Sequence, residues 1–400
     1  MRISSSTIFD SNVALLGQQQ TRLMQTQQQI SSGRRILTAA DDPVAAARAL
    51  DITQSDATNT QFAANRDSTR HTLSMAESTL QSVTSLLQDV KAAAVNAGNG
   101  SYNTSDRQTI ATGLSGRLQE LIGLANSTDG AGNYLFSGFQ SGTVPFANVA
   151  GVMTYNGDDG QRLRQVSASR QMASSDSGAD IFMRVKTGNG TFVTQAAATN
   201  TGTGVVSQGT VTNPAALVAG NTYSIAFSVA AGVTSYTVTG VPTAPVPALA
   251  GIPYVSGQAI SFDGMQLDIQ GAPANGDSFT VAPSTNESIF KTISDLVTAL
   301  NAPVVGASLA NSLNRGLNQA DNALNNVLTT RSTLGLRLNE LDALQVTGSD
   351  LGLQLKQTLS ALQDVDYNKA ISDLTQQDMT LKATQQSFVK VAALSLFNYL

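Results

Sequence analysis

The chain has 400 residues, no cysteine, one histidine, 13% charged residues and a net charge of −5. That length gives room for two to three domains of about 150 residues each. Scattered Lys and Arg exclude a phosphate-neutralising nucleic-acid surface, and the lack of Cys excludes disulfides, thiolate nucleophiles and Cys-based zinc sites.

The N-terminus, MRISSSTIFDSNV, has no apolar core after its single Arg, so no cleaved secretory signal is expected. An export route that reads no such signal would leave no trace here. The longest apolar run, VAALSLF, is too short to span a bilayer, and no membrane insertion is expected.

A first helix is predicted over about Ser5 to Ser31. Its 3-4 seam reads Val13, Leu16, Gln20, Leu23, Gln27, Ile30. A buried Gln must find partners or costs ~1–3 kcal/mol, and a helix this thin in apolar residues is not stable alone. The next stretch, SSGRRILTAADDP over 31–43, admits three readings: an anion cradle, half of a metal site, or a joint between helices. Gly33 ends one helix, Asp42 caps the next, and Pro43 suits a first helical position. A cradle needs free amides at the helix start, which Asp42 already occupies. A metal half-site needs further ligands that nothing supplies. The joint reading is preferred, with Arg34 and Arg35 one short spacer from Asp41 and Asp42. The arginines either pair within the joint or reach a neighbouring subunit.

The second helix is predicted from Pro43 to near Ala97. Its seam, Leu73, Ala76, Leu80, Val83, Leu87, Val90 and Ala94, alternates steps of three and four, as in a helix packed lengthwise on a partner. His71 lies beside that stripe as a flank residue. A third helix opens at Thr104 or Ser105 and carries Ile110, Leu114, Leu118, Leu121 and Ala125 on one face.

Every proline except Pro43 lies between Pro145 and Pro303, which leaves both ends free for long helices. The middle reads as β. VMTYNGDDGQRLRQV predicts a hairpin turning at NG-DDG. Residues 195–215 read as loop with one edge strand. TYSIAFSV, TSYTVTGV, QAISFDGMQLDI and DSFTVAP follow as short strands, with a turn at Asp263-Gly264. NGDDG is not followed by a calcium loop, and GNGT over 188–191 lacks the GK[ST] ending of a phosphate loop. Nothing places two carboxylates together for acid–base work, so no enzyme, cofactor or metal is expected.

The C-terminal block repeats the 3-4 rhythm at Leu317, Ala320, Leu324, Val327, Leu334, Leu338 and Leu341, with Arg331 as a polar exception. Gly348 and Gly352 mark an expected break. A last helix then runs from about Leu353 to the end through Leu359, Leu362, Ile371, Leu374, Leu381, Phe388 and Leu394. Its final turns, with Val391, Leu396, Phe397 and Leu400, are apolar nearly all round, a surface that wants a partner.

The expected fold class is α+β multidomain. A long α-helical coiled-coil rod forms from paired N- and C-terminal segments, with an inserted antiparallel β domain. Residues 1–42 and 360–400 are the inner terminal helices, mobile in the free monomer and ordered on assembly. Residues 43–183 and 286–359 form a helical rod with a β-hairpin, and 184–285 the outer β domain. The expected assembly interface takes Val13, Leu16, Leu23 and Ile30 from the first helix and Arg34, Arg35, Asp41 and Asp42 from the joint. From the last helix it takes Ile371, Leu374, Leu381, Phe388, Val391, Leu394, Phe397 and Leu400.

QQISSGRRILTAADDPVAAARAL resembles the flagellin-family N-terminal signature, and LQDVDYNKAISDL resembles the family's C-terminal segment. The two lie at opposite ends, and the resemblance covers both helical blocks. Three features favour the hook–filament junction members over the filament protein itself: the start MRIS, the stretch LANSTDGAGNYLFSGF over 124–139, and the end LSLFNYL. The 184–285 region carries no motif that matches. The resemblance implies a structural, non-enzymatic part of the extracellular flagellum that assembles by helical subunit packing. Its implied partners are copies of itself in a ring, a neighbouring hook-associated protein, flagellin, and an export chaperone that holds the C-terminal helix. Export through the flagellar type III channel would need no cleaved signal. A flagellin proper, or an adhesive surface module through the β region, are the alternatives.

Overall fold

A computed structural model describes residues 5–303 and 306–397, with the side chains of 5, 6 and 8 and of those from 391 onward outside the description. The chain is an α+β protein with long helices and antiparallel sheets. The helices are α1 (Ser5–Ser32), α2 (Pro43–Ala97), α3 (Thr104–Ala125), α4 (Ile289–Asn301), α5 (Ala307–Gln363) and α6 (Tyr367–Phe397). Two units are described separately below: one from residues 1–65 and 343–400, the other from 66–342.

In the 66–342 unit the predicted α2 seam is the core. Leu73, Leu80, Val83, Leu87, Val90 and Ala94 are at most 1% exposed. From α5 the buried side is Leu313, Ala320, Ala323, Val327, Leu334 and Leu341, while Leu317, Leu324 and Leu338 are half-buried. Arg331, the polar exception, pairs with Glu77 of α2 at 2.7 Å. His71 is exposed on α2. α3 starts at a reciprocal cap: Asn103 accepts from the Asp106 N–H, and the Asp106 carboxylate accepts from the Asn103 N–H. α4 has no counterpart in the sequence reading. Ser288 caps it, and Ile289, Phe290, Ile293, Leu296 and Leu300 face inward. Its Phe290 joins Phe146 and Phe182 in a ring cluster with centroids 5.2–6.0 Å apart.

Two small hairpins precede the larger sheets: β1 (Phe146–Val149) with β2 (Val152–Tyr155), and β3 (Leu163–Ser167) with β4 (Arg170–Ala173). The predicted single hairpin across NGDDG is therefore incorrect, because its two arms pair with different partners. Ala150 and Gly151 take the positive φ that the β1–β2 turn requires. The NGDDG stretch is instead drawn onto the 136–139 segment. There the Asp158 carboxylate accepts from the Phe139 and Gly160 amides at 2.8 Å each. Arg66 of α2, 2% exposed, anchors the second hairpin by donating to the Val166 carbonyl at 2.9 Å.

Eleven short strands follow: β5 (Val185–Lys186), β6 (Phe192–Ala196), β7 (Val205–Val206), β8 (Thr210–Val211), β9 (Thr222–Ala230), β10 (Val233–Val241), β11 (Ile252–Pro253), β12 (Ala259–Phe262), β13 (Met265–Gln270), β14 (Ser278–Pro283) and β15 (Asn286–Glu287). One sheet has the order β11-β10-β9-β14-β6. A second runs β12-β13-β7, with β8 also on β13. Residues of period two from both, including Tyr223, Ile225, Phe227, Phe262, Leu267, Ile269, Phe279 and Val281, share one core. Asp263-Gly264 is the β12–β13 turn, with φ of +45° and +74°.

In the unit of 1–65 and 343–400, α5 passes through Gly348 and Gly352 without a break, contrary to expectation. Gly352 allows close approach, since a Cβ there would stand 3.1 Å from Asn59 Nδ2, which donates to the Gly348 carbonyl at 2.8 Å. Leu359 and Leu362 thus belong to α5, and the interruption falls at 364–366.

Candidate assembly interface

α1 and α6 lie side by side and antiparallel. Thr26 Oγ1 of α1 bonds Gln377 Oε1 of α6 at 3.1 Å, and nearer the two chain ends the rings of Phe9 and Phe388 stand 5.2 Å apart. The inward face of α1 runs Asn12, Leu16, Gln19, Leu23, Thr26, Ile30. The predicted seam was therefore right at Leu16, Leu23 and Ile30. It was one residue late at the alternate positions, and Val13, Gln20 and Gln27 point outward. The α6 face runs Ala370, Leu374, Gln377, Leu381, Thr384, Phe388. Ile371, one of the expected assembly-interface residues, is 52% exposed.

The seam is thin. Apolar layers alternate with polar ones on both helices, and among the described residues only Thr26, Ala370 and Leu381 of this pair are buried. Gln19 Oε1 is buried with no hydrogen-bond partner. Large apolar side chains instead face out: Val13, Leu15 and Met24 on α1, Ile371, Met379 and Val389 on α6. Val391, Leu394 and Phe397 have side chains outside the described residues, as does Leu400 entirely.

The joint at 33–42 is tied to the α5–α6 interruption. Arg34 and Asp364 form an isolated antiparallel bridge. The Arg35 N–H donates to the Gln363 carbonyl at 2.6 Å, and the Val365 N–H to the Gly33 carbonyl at 3.0 Å. Gly33 adopts φ +69°, the left-handed conformation that ends α1. Arg35 is used inside the joint: its guanidinium reaches the Leu362 carbonyl at 2.9 Å and Asp42 at 3.3 Å. Arg34 is exposed, and its guanidinium makes no ion pair among the described residues.

The two aspartates differ in task. Asp41 accepts from the Thr38 and Leu37 amides and from Gln25 of α1, closing the loop on itself. Asp42 caps α2 by accepting from the Ala45 N–H at 3.0 Å. Both carboxyls are held below the usual carboxylate range, Asp41 first by the Thr38 amide and Asp42 first by the Ala45 amide, with Arg35 adding to the second. The Ala45 and Ala46 amides at this helix start are thus both taken up by Asp42.

The 66–342 unit holds a cavity of about 470 Å³ between β6–β7 and the start of α5. Its charged lining is mutually paired: Arg315 meets Glu287 and Asp295, and Lys291 meets Asp295. Among the described residues no three metal-ligating side chains cluster, and no helix is long and apolar enough to cross a membrane.

The residues that the sequence reading missed are Gln19, Thr26, Gln377, Thr384 and Phe9, together with Asp364. Their signal was present as the alternative phase 12-16-19-23-26-30. It is easily passed over because it replaces an apolar Val13 by polar groups.

Residues 3–141 match the bacterial flagellin N-terminal helical region, and 195–283 match the D2-like domain of flagellar hook-associated protein 1. Flagellar hook-associated protein 3 of Salmonella typhimurium is 29% identical over 405 residues, 99% of each chain. The crystal structure of flagellar hook-associated protein 3 from Legionella pneumophila is 35% identical. It superposes with a TM-score of 0.74 over 78% of this chain and 98% of that one. A flagellin of Listeria monocytogenes is 28% identical over 132 residues, covering 32% of this chain and 45% of the flagellin.

Proposed function

The chain belongs to the flagellar hook-associated protein 3 family, and from that premise we propose that it is the hook–filament junction component of a bacterial flagellum. The observation that carries this reading is similarity to a hook-associated protein 3 over 99% of the chain. The flagellin alternative is weaker, since that similarity extends over only 32% of the chain. The work is structural: packing surfaces, not a catalytic centre.

In this proposal copies of the chain form a short ring between a neighbouring hook-associated protein and the flagellin filament. Residues 1–42 and 360–400 are the inner domain, mobile in the free monomer and ordered as coiled coil on assembly. Residues 43–183 with 286–359 form the rod, and 184–285 the outer, inserted β domain. The chain reaches the cell exterior by the flagellar export route, with a chaperone on the C-terminal helix beforehand. Support for the inner interface comes from the outward Val13, Ile371, Met24 and Met379, which one chain leaves uncovered. Leu16, Leu23, Ile30, Leu374, Leu381 and Phe388 hold α1 to α6 inside each subunit. Val391, Leu394, Phe397 and Leu400 extend the apolar end. Arg34 faces a carboxylate of the next subunit, while Arg35, Asp41 and Asp42 keep the joint in shape.

Assembly on seeds tests the reading. Purified chain added to hook fragments that carry the preceding hook-associated protein should stop after a short ring and then accept flagellin. Open-ended growth into long filaments would favour the flagellin alternative instead.

A further inference from the structure

α5 carries polar side chains at Asn311, Arg315, Gln319, Asn322 and Asn326, a 4-4-3-4 spacing that sets all of them along one helix face. The three asparagines hold main chain. Asn311 grips an extended segment with both ends of its amide. Its Oδ1 accepts from the Val206 N–H and its Nδ2 donates to the Gly204 carbonyl, each at 3.0 Å. Asn322 Nδ2 donates to the Lys186 and Gly188 carbonyls at 2.9 and 2.7 Å. Asn326 Nδ2 donates to those of Asp180 and Ile181 at 2.8 and 3.0 Å. Arg315 is taken by Glu287 and Asp295. Gln319 breaks the pattern. It is 3% exposed, it lines the cavity of about 470 Å³, and its Nε2 is buried without a hydrogen-bond partner. A buried donor left open in this way is costly.

Another wall of the same cavity is a strand edge. β6 is the last strand of its sheet, and residues 193–198 line the cavity. The Ala197 N–H donates to the Ser278 carbonyl at 3.0 Å, in register with β14. Val193 and Gln195 therefore also turn their main-chain groups to β14, and those of Thr194 and Ala196 point away from it. On that side no strand pairs with β6 among the described residues. The wall is held in place. Thr194 Oγ1 donates to the Ser207 carbonyl at 2.8 Å, and Asn311 ties β7 to α5.

We infer that this cavity receives an extended, uncharged peptide segment of a partner protein. The segment pairs with the β6 edge at Thr194 and Ala196 and gives a carbonyl to Gln319 Nε2. Main chain is the matching chemistry on both walls. The edge offers a donor and an acceptor at alternate residues, and the three asparagines of the α5 stripe each already hold main-chain carbonyls. The segment is uncharged because Arg315 and Lys291 already balance Glu287 and Asp295, and a charged side chain would have to break a pair. The cavity volume falls in the ~300–1,000 Å³ range of ligand sites. This inference rests on the geometry of the 66–342 unit and stands apart from the flagellar reading.

Isothermal titration of the full chain with a capped peptide of about five alternating Thr and Ser residues tests it. Saturable binding at about millimolar Kd or tighter is expected. Hydrogen exchange with the peptide bound should slow about threefold or more within 192–198. N-methylating every peptide residue removes its main-chain donors, keeps its side chains, and should weaken binding about tenfold or more. Gln319→Met keeps the length without the donor, should melt as the wild type does, and should weaken binding about tenfold. Ala196→Pro removes an edge N–H that β14 does not use and should weaken binding alike. If that variant does not fold, the N-methylated peptide makes the same test from the other side. Replacing Ser by Asp or by Lys in the peptide should weaken binding in both cases. No saturable binding up to about 5 mM peptide would overturn the inference. So would binding by the N-methylated peptide, or by Gln319→Met, within about twofold of the parent pair. Tighter binding of the Asp or Lys peptide would overturn the assignment of an uncharged segment.

Discussion

Asp263 is the point at which the β core of 192–281 is most exposed to a single change. Its carboxylate, 3% exposed, accepts from the Tyr223 hydroxyl at 2.6 Å and the Val246 N–H at 2.8 Å. Its own N–H donates to the Val246 carbonyl at 2.7 Å. The residue sits at φ +45°, where Asp and Asn are tolerated and Ala is strained. Asp263→Ala orphans the Tyr223 hydroxyl proton, at ~1–3 kcal/mol, and the partly buried Val246 N–H, at ~1 kcal/mol. The backbone conformation adds ~1 kcal/mol. The loss should total about 3–5 kcal/mol. Asp263→Asn keeps one acceptor and the backbone preference and should lose only about 1–2 kcal/mol. Near-ultraviolet circular dichroism of the tyrosines, followed through urea, reads the transition of this core. Far-ultraviolet ellipticity at the same urea concentrations reads the helices. The tyrosine transition should move and the helical one should stay. A loss under about 1 kcal/mol for Asp263→Ala, or equal losses for both variants, would refute the reasoning.

Tyr223 gives a pH signature of the same network. Burial, then Asp263, push its phenol up to about 12 from an ordinary value of 10. The stabilisation is complete below pH 10 and should be lost as pH rises towards 12, by up to ~3 kcal/mol. Tyr223→Phe should flatten that loss in urea titrations at successive pH values. Leu80→Ala empties a site that is fully buried on α2 and should cost about 2–5 kcal/mol in thermal melts of the helical signal. A cost below about 1 kcal/mol would mean that this seam is not the core. At the joint, Arg35→Ala should speed proteolysis within 33–42, while Arg34→Ala should leave it unchanged and reduce assembly. The reverse ranking would place Arg34, not Arg35, inside the joint.

The long helices were legible because their seams are simple. On α2 every predicted seam position from Leu73 to Ala94 is buried, since one apolar stripe of steady period admits one orientation. α1 was misread by one residue in alternate turns because Val13 looks more like core than Asn12 or Gln19 does. Tertiary pairing with α6, not hydropathy, selected the polar phase. Gly348 and Gly352 were taken for a helix end. Both instead lie against Asn59, a residue almost 300 positions away that local sequence does not report, which donates to the Gly348 carbonyl and stands close over Gly352. The NGDDG hairpin failed for a related reason: a carboxylate at Asp158 bonds a distant segment and overrides a good local turn signal. Within the joint, the roles of Asp42 and Pro43 followed from capping chemistry alone. The different fates of Arg34 and Arg35 required the backbone bridge to Asp364.

The junction role has its most direct test in cells. In the source bacterium, the gene for this chain is deleted, and hooks and filaments are then viewed by electron microscopy while flagellin is assayed in the medium. The account predicts intact hooks without filaments and flagellin shed into the medium, both reversed by the restored gene. Full-length filaments on the deleted cells would contradict it.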